Sequence, residues 1–125
     1  MGLLNTIKRE KDGVKEATRS FSKKQENYVA KKFGGDRVKN SGATAFAKGD
    51  VNLDEQNFLI ECKTKTTASD SISIKKEWLE KIDEQCFEMG KKHPILAFDF
   101  GDGENYYILN EIVMKKFVEY LDSQE

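Results

Sequence analysis

The chain has 125 residues, of which 38% are hydrophobic and 34% charged, with a formal net charge of -1; this fits one soluble globular domain and is too short for two. No stretch approaches the roughly 18 consecutive apolar residues that a membrane span needs, and the first residues lack the apolar core of a secretion signal, so a cytoplasmic location without membrane association is expected. Two cysteines and one histidine exclude a disulfide framework and are too few for a zinc site.

Residues 1–20 read as a basic arm with one short apolar patch at Leu3, Leu4 and Ile7, suited to lying on DNA or on a partner subunit. The single domain then runs over 21–125. Residues 1–49 hold twelve Lys or Arg against five Asp or Glu, while 50–125 hold nine against seventeen. Positive charge is thus concentrated where a phosphate backbone could approach, although the whole chain is nearly neutral.

Ser22 with Gln25 has capping-box spacing and predicts a helix through about Lys32, stopped by Gly34-Gly35. Phe21, Tyr28, Val29 and Phe33 are expected to supply its packing, with Glu26 at the rim of the buried stripe. A strand at Arg37-Val38-Lys39 and a loop of small residues follow. In that loop the Ser41 hydroxyl, with Lys39 and Lys48, is available to a phosphate.

Gly49-Asp50-Val51 enters the next strand, and a polar break at Asp54-Glu55-Gln56-Asn57 leads into Phe58-Leu59-Ile60-Glu61-Cys62-Lys63. So short a connection makes the two strands antiparallel neighbours. Along the second strand Ile60 and Cys62 point one way and Glu61 and Lys63 the other. An Asp, a Glu and a Lys are thereby expected at one end of a small sheet. Cys62, on the apolar side, reads as a small buried hydrophobe.

Thr64 to Ser71 is polar and extends the strand before a loop, and Lys65 there is a candidate DNA contact. From about Lys75 to Gly90, Leu79, Ile82, Cys86 and Met89 recur at helical spacing with Trp78 beside them, and Gln85 reads as a structural polar residue next to the stripe. Lys75 and Lys76 oppose the macrodipole at the start of that helix, which marks them as candidate phosphate contacts. His93 reads as a loop residue. Strands over Ile95–Phe100 and Tyr106–Leu109 flank a Gly-rich turn, in which Asp99 and Asp102 are turn chemistry. Asn110 caps a last helix whose apolar face is broad enough to dock partly against another subunit.

The order of elements predicts an α/β sandwich around a mixed central sheet of about five strands flanked by helices. No Gly-rich phosphate loop is present, so no nucleotide cofactor is expected. Two carboxylates with an adjacent lysine suit metal-assisted phosphodiester hydrolysis. The carboxylates offer hard oxygen ligands to a divalent cation, and the lysine can orient the attacking water and screen charge on the phosphate.

These residues resemble the PD-(D/E)xK nuclease superfamily, and within it the small Holliday-junction resolvases of archaea and bacteriophages. The resemblance is carried by Gln25-Glu26-Asn27-Tyr28-Val29, Asn40-Ser41-Gly42-Ala43, Gly49-Asp50-Val51, Ile60-Glu61-Cys62-Lys63, Ser73-Ile74-Lys75 and Pro94-Ile95-Leu96-Ala97-Phe98-Asp99-Phe100. It runs from about Ser22 to about Leu109. It implies a restriction-endonuclease-like fold and a catalytic set of Asp50, Glu61, Lys63 and Glu26. Mg²⁺, with Mn²⁺ as substitute, is then expected on Asp50, Glu61, the Cys62 backbone carbonyl and Glu26. It also ties Ser41 to function and implies branched or four-way-junction DNA as partner, in a prokaryotic cytoplasm or a phage-infected host cell. Two symmetric cuts on a junction imply a homodimer. Another nuclease of the superfamily, cutting flaps or single strands, and a DNA-binding domain without activity are the alternative readings.

Overall fold

A computed structural model describes residues 21–38 and 50–124. The basic arm, Ser41, Lys39 and Lys48 lie outside the described residues. Helix α1 covers residues 21–33. It is followed by β1 (Asp36–Arg37), β2 (Val51–Leu53), β3 (Phe58–Lys63), α2 (Lys76–Met89), β4 (His93–Phe98), β5 (Tyr106–Leu109) and α3 (Glu111–Ser123). The strands form one five-stranded sheet in the order β1-β2-β3-β4-β5. Only the β3–β4 pair is parallel, so the sheet is mixed and α2 is the crossover.

The alternation along β3 decides what each face does. Ile60 joins Val29, Ala30, Val51, Leu53, Ile95 and Ala97 in a buried cluster under α1. Leu59, on the opposite face, packs with Ile82 and Cys86 of α2. The architecture is therefore an α/β arrangement with helices on both sheet faces, as the order of elements predicts. Asn110 caps α3 by accepting a hydrogen bond from the Val113 N–H at 2.8 Å, but only Val113 of that helix is buried. Ile112, Met114, Phe117, Val118, Tyr120 and Leu121 are exposed. Beside α3, an apolar cleft of about 490 Å³ is lined by Phe33, Phe58, Ile60, Ile95, Leu109 and Phe117, among others. No helix among the described residues is long and apolar enough to cross a membrane.

Four local expectations need correction. Residues 21 and 22 are already helical, so Ser22 lies within α1 and does not cap it. The buried positions of α1 are Gln25, Val29 and Ala30, whereas Phe21, Tyr28 and Phe33 are exposed. The helix buries the stripe that faces the sheet, and aromatic size does not select that face. His93 is the first residue of β4 and packs edge-on against Phe58. Lastly, β3 stops at Lys63 and β4 at Phe98, because Asp99 turns the chain.

Gly35 is fixed by close approach: a Cβ there would lie 2.7 Å from the Asn52 carbonyl oxygen. A larger residue would push β1 away from β2. Gly90 adopts φ 69° and closes α2, the left-handed helix stop expected there.

Candidate active site

Asp50 stands immediately before β2, opposite the far end of β3. Its N–H donates to the Ile60 carbonyl at 3.0 Å and its carbonyl accepts from the Val38 N–H at 2.9 Å. Its side-chain Oδ2 accepts from the Cys62 N–H at 2.7 Å. Within an extended strand the N–H and C=O of one residue point to the same edge, so the Cys62 carbonyl shares the edge that Asp50 occupies.

Glu61 and Lys63 lie on the α2 side of β3, with Lys63 Nζ 3.5 Å from Glu61 Oε1. Burial raises the Glu61 carboxyl above its ordinary pKa and the charge of Asp50 raises it further, against the pull of Lys63 and Lys81. Glu26, reaching in from α1, is also raised, first by burial and then by Asp50, which lies within hydrogen-bonding reach. Arg37 opposes that shift through an ion pair at 3.1 Å. The Cys62 thiol is pushed strongly upward by burial and then by the charges of Asp50, Glu26, Glu61 and Asp99. Carboxylates from three parts of the chain ahead of β4 thus concentrate negative charge at the end of β3.

The donor set suits a hard divalent cation. Among the described residues no three or more His, Cys, Asp and Glu side chains are grouped as a metal cage. Mg²⁺, however, is usually held by one or two carboxylates, with water and phosphate completing the octahedron. Asp50 and Glu61, with a carbonyl on the same edge, fit that requirement by donor chemistry.

Three residues that the sequence reading did not single out for this site support it. Gln25 is 4% exposed, and its amide nitrogen donates to the Lys63 carbonyl at 2.8 Å and to Asn105 Oδ1 at 3.0 Å. It ties the end of β3 to α1 and to the β4–β5 turn. Its spacing of four from Val29 was the available signal. Lys81 faces Glu61 electrostatically from α2. Trp78, in the first turn of α2, has its ring centroid 4.7 Å from Lys63 Nζ.

Of the candidate DNA contacts, Lys75 is exposed at the N-cap of α2, with Nζ 5.9 Å from the Trp78 ring. Lys65 Nζ instead donates to the Ser71 carbonyl at 2.8 Å, bracing its own loop. Asp99 and Asp102 accept from the Gly101 and Glu104 N–H groups, the turn chemistry expected of them. Asp99 is also buried and receives the Thr64 hydroxyl at 2.6 Å. Gln85 is half-buried on α2. Comparison with protein-family models, with curated proteins and with solved structures finds no match to this chain.

Proposed function

We propose that this protein is a metal-dependent endonuclease of the restriction-endonuclease-like fold that hydrolyses DNA phosphodiester bonds, with a four-way junction as its substrate. The observation that carries the reading is the meeting of Asp50 with the Glu61-x-Lys63 stretch, through the bond from the Cys62 N–H to Asp50 Oδ2 at 2.7 Å. Asp50, Glu61 and the Cys62 carbonyl would hold Mg²⁺ or Mn²⁺, with Glu26 available when Arg37 releases it. Bound there, the ion supplies Lewis-acid charge to a phosphoryl oxygen.

The chain's own groups divide the remaining work. Lys63 sets a positive charge beside the phosphate and within reach of the attacking water. Glu61 orients Lys63 through their 3.5 Å contact. Lys75 stands exposed near the same end of the sheet, and Ser41, Lys39 and Lys48 complete the proposed DNA-binding set. The exposed apolar face of α3 and the adjoining cleft support a homodimer, which paired cuts on a junction require.

The test is cleavage of four-way junction, flap, single-stranded and linear duplex DNA with Mg²⁺, beside an Asp50→Ala variant. Paired symmetric junction cuts that disappear in the variant support the proposal. Cutting of flaps or single strands alone moves the substrate to another branch of the superfamily, and binding with no cutting overturns the catalytic reading.

A further inference from the structure

We propose that Trp78 is a positioning residue for Lys63, holding its ammonium group at the site by a cation–π contact; this rests on the nuclease reading above. Lys63 Nζ has two neighbours of opposite character, Glu61 Oε1 at 3.5 Å and the Trp78 ring at 4.7 Å. The ring lies inside the roughly 6 Å range over which a tryptophan face attracts a cation. Lys75 lies at the limit of that range, at 5.9 Å, so Lys63 is the main partner.

The two neighbours are not interchangeable. A divalent cation held by Glu61 would spend that carboxylate's charge and repel the nearby ammonium, so the ion pair would weaken in the loaded site. An indole ring carries no net charge to be neutralised. It holds a cation through its quadrupole and leaves the full positive charge available to a phosphate. A lysine on a flexible four-carbon stem needs such a second restraint to stay in place.

The surroundings of Trp78 favour this role over plain packing. The residue is half-buried and does not belong to the cluster of Leu59, Ile82, Cys86 and Met89 that seats α2 on the sheet. It projects from the first turn of α2, beside the end of β3.

Because Trp78 is the sole tryptophan beside four tyrosines, fluorescence of the full-length protein excited at the long-wavelength edge where tyrosine does not absorb reports on it alone. In metal-free protein without DNA, Lys63→Met should change the emission maximum or yield of Trp78. In single-turnover cleavage of junction DNA, Trp78→Leu should slow the step about tenfold with DNA affinity held within about twofold, and Trp78→Phe should recover most of the loss. In a Lys63→Met background the Trp78→Leu change should cost less than about twofold, since the interaction is already gone.

Emission unchanged by Lys63→Met, or equal losses from Trp78→Leu with and without Lys63, would overturn the positioning role. Parental cleavage by Trp78→Leu beside loss of activity in Lys63→Met would also overturn it, while leaving the nuclease reading intact. Parental cleavage by Lys63→Met would instead remove the catalytic role of the lysine and with it the basis of the proposal. The fluorescence comparison keeps Trp78 in place, so it remains decisive if Trp78→Leu folds poorly.

Discussion

Replacing Asp50 by Asn removes one charge from the carboxylate group yet leaves a side-chain oxygen able to accept the Cys62 N–H, so the perturbation is electrostatic. Asp50 raises the pKa of both Glu26 and Glu61. At an effective dielectric of about 20, a pair of carboxylates in near contact repels by about 3–4 kcal/mol. Arg37, Lys63 and Lys81 draw off part of that cost. The relief expected in metal-free Asp50→Asn at neutral pH is then about 1 kcal/mol, or about 4 °C in melting midpoint for a domain of this size. The assay is thermal unfolding followed by circular dichroism, in chelator and again with Mg²⁺. The variant should melt above the parent in chelator, gain nothing from Mg²⁺, and lose junction cleavage by at least about a hundredfold, whereas Mg²⁺ should raise the parent's midpoint. A variant that melts lower in chelator and responds to Mg²⁺ as the parent does would refute the reasoning, and would make Asp50 a strut for the Cys62 N–H.

The raised carboxyls of Glu26 and Glu61 favour the folded state when protonated, so their contribution is fully present below the ordinary carboxylate range and is lost as pH rises through the raised values. His93, held below its ordinary range mainly by burial, works in the opposite sense on acidification; the metal-free gain from pH 7 to pH 5 should therefore be read as the excess of parent over Asp50→Asn in melting midpoint. Mg²⁺ competes with protons for these groups, so the acid limb of the cleavage-rate profile should move to lower pH as the Mg²⁺ concentration is raised. Gln25→Leu removes two hydrogen bonds at about 1 kcal/mol each while also removing a buried amide oxygen that has no partner. A net loss of about 1–2 kcal/mol is expected in urea unfolding, with a larger fractional loss of cleavage because the end of β3 is untied. Leu59→Ala, at a fully buried position under α2, should cost about 2–5 kcal/mol by the same measurement and leave the cleavage rate per folded molecule unchanged.

The hairpin and α2 were legible because each rests on local pattern. Alternating residues in Phe58–Lys63 and the polar break before them determine the β2–β3 pairing, and the observed register pairs Val51 with Ile60. The stripe at Leu79, Ile82, Cys86 and Met89 needs only helical spacing, and Ile82 and Cys86 are indeed buried. Gln25 shares the stripe of Val29 by its spacing of four, but its hydrogen bonds were not legible, since its partners lie 38 and 80 positions away. A polar side chain enters the interior only where remote acceptors await it, and local composition does not reveal them. The same limit applies to Lys81 and Trp78, whose helix was read correctly but whose relation to Glu61 and Lys63 depends on how α2 crosses β3.

The position of the candidate site follows from a step in the sheet. β3 remains paired to β4 through Cys62 with Ala97 and Lys63 with Phe98, but its pairing with β2 begins only at Val51 with Ile60. Among the described residues the β2 ladder does not continue along β3 beyond that register, and an edge without a ladder partner offers N–H and C=O groups. There the Asp50 carboxylate accepts the Cys62 N–H at 2.7 Å. The carbonyl of Cys62 faces the same edge, on the side of the Asp50 carboxylate. A slip of one residue in the hairpin would turn Glu61 and Lys63 to the α1 face and separate them from Trp78 and Lys81. The register that buries Leu59 and Ile60 on opposite faces therefore also brings two carboxylates, a carbonyl and an ammonium to one end of β3. In this protein the packing of the core and the assembly of the site are consequences of one strand alignment.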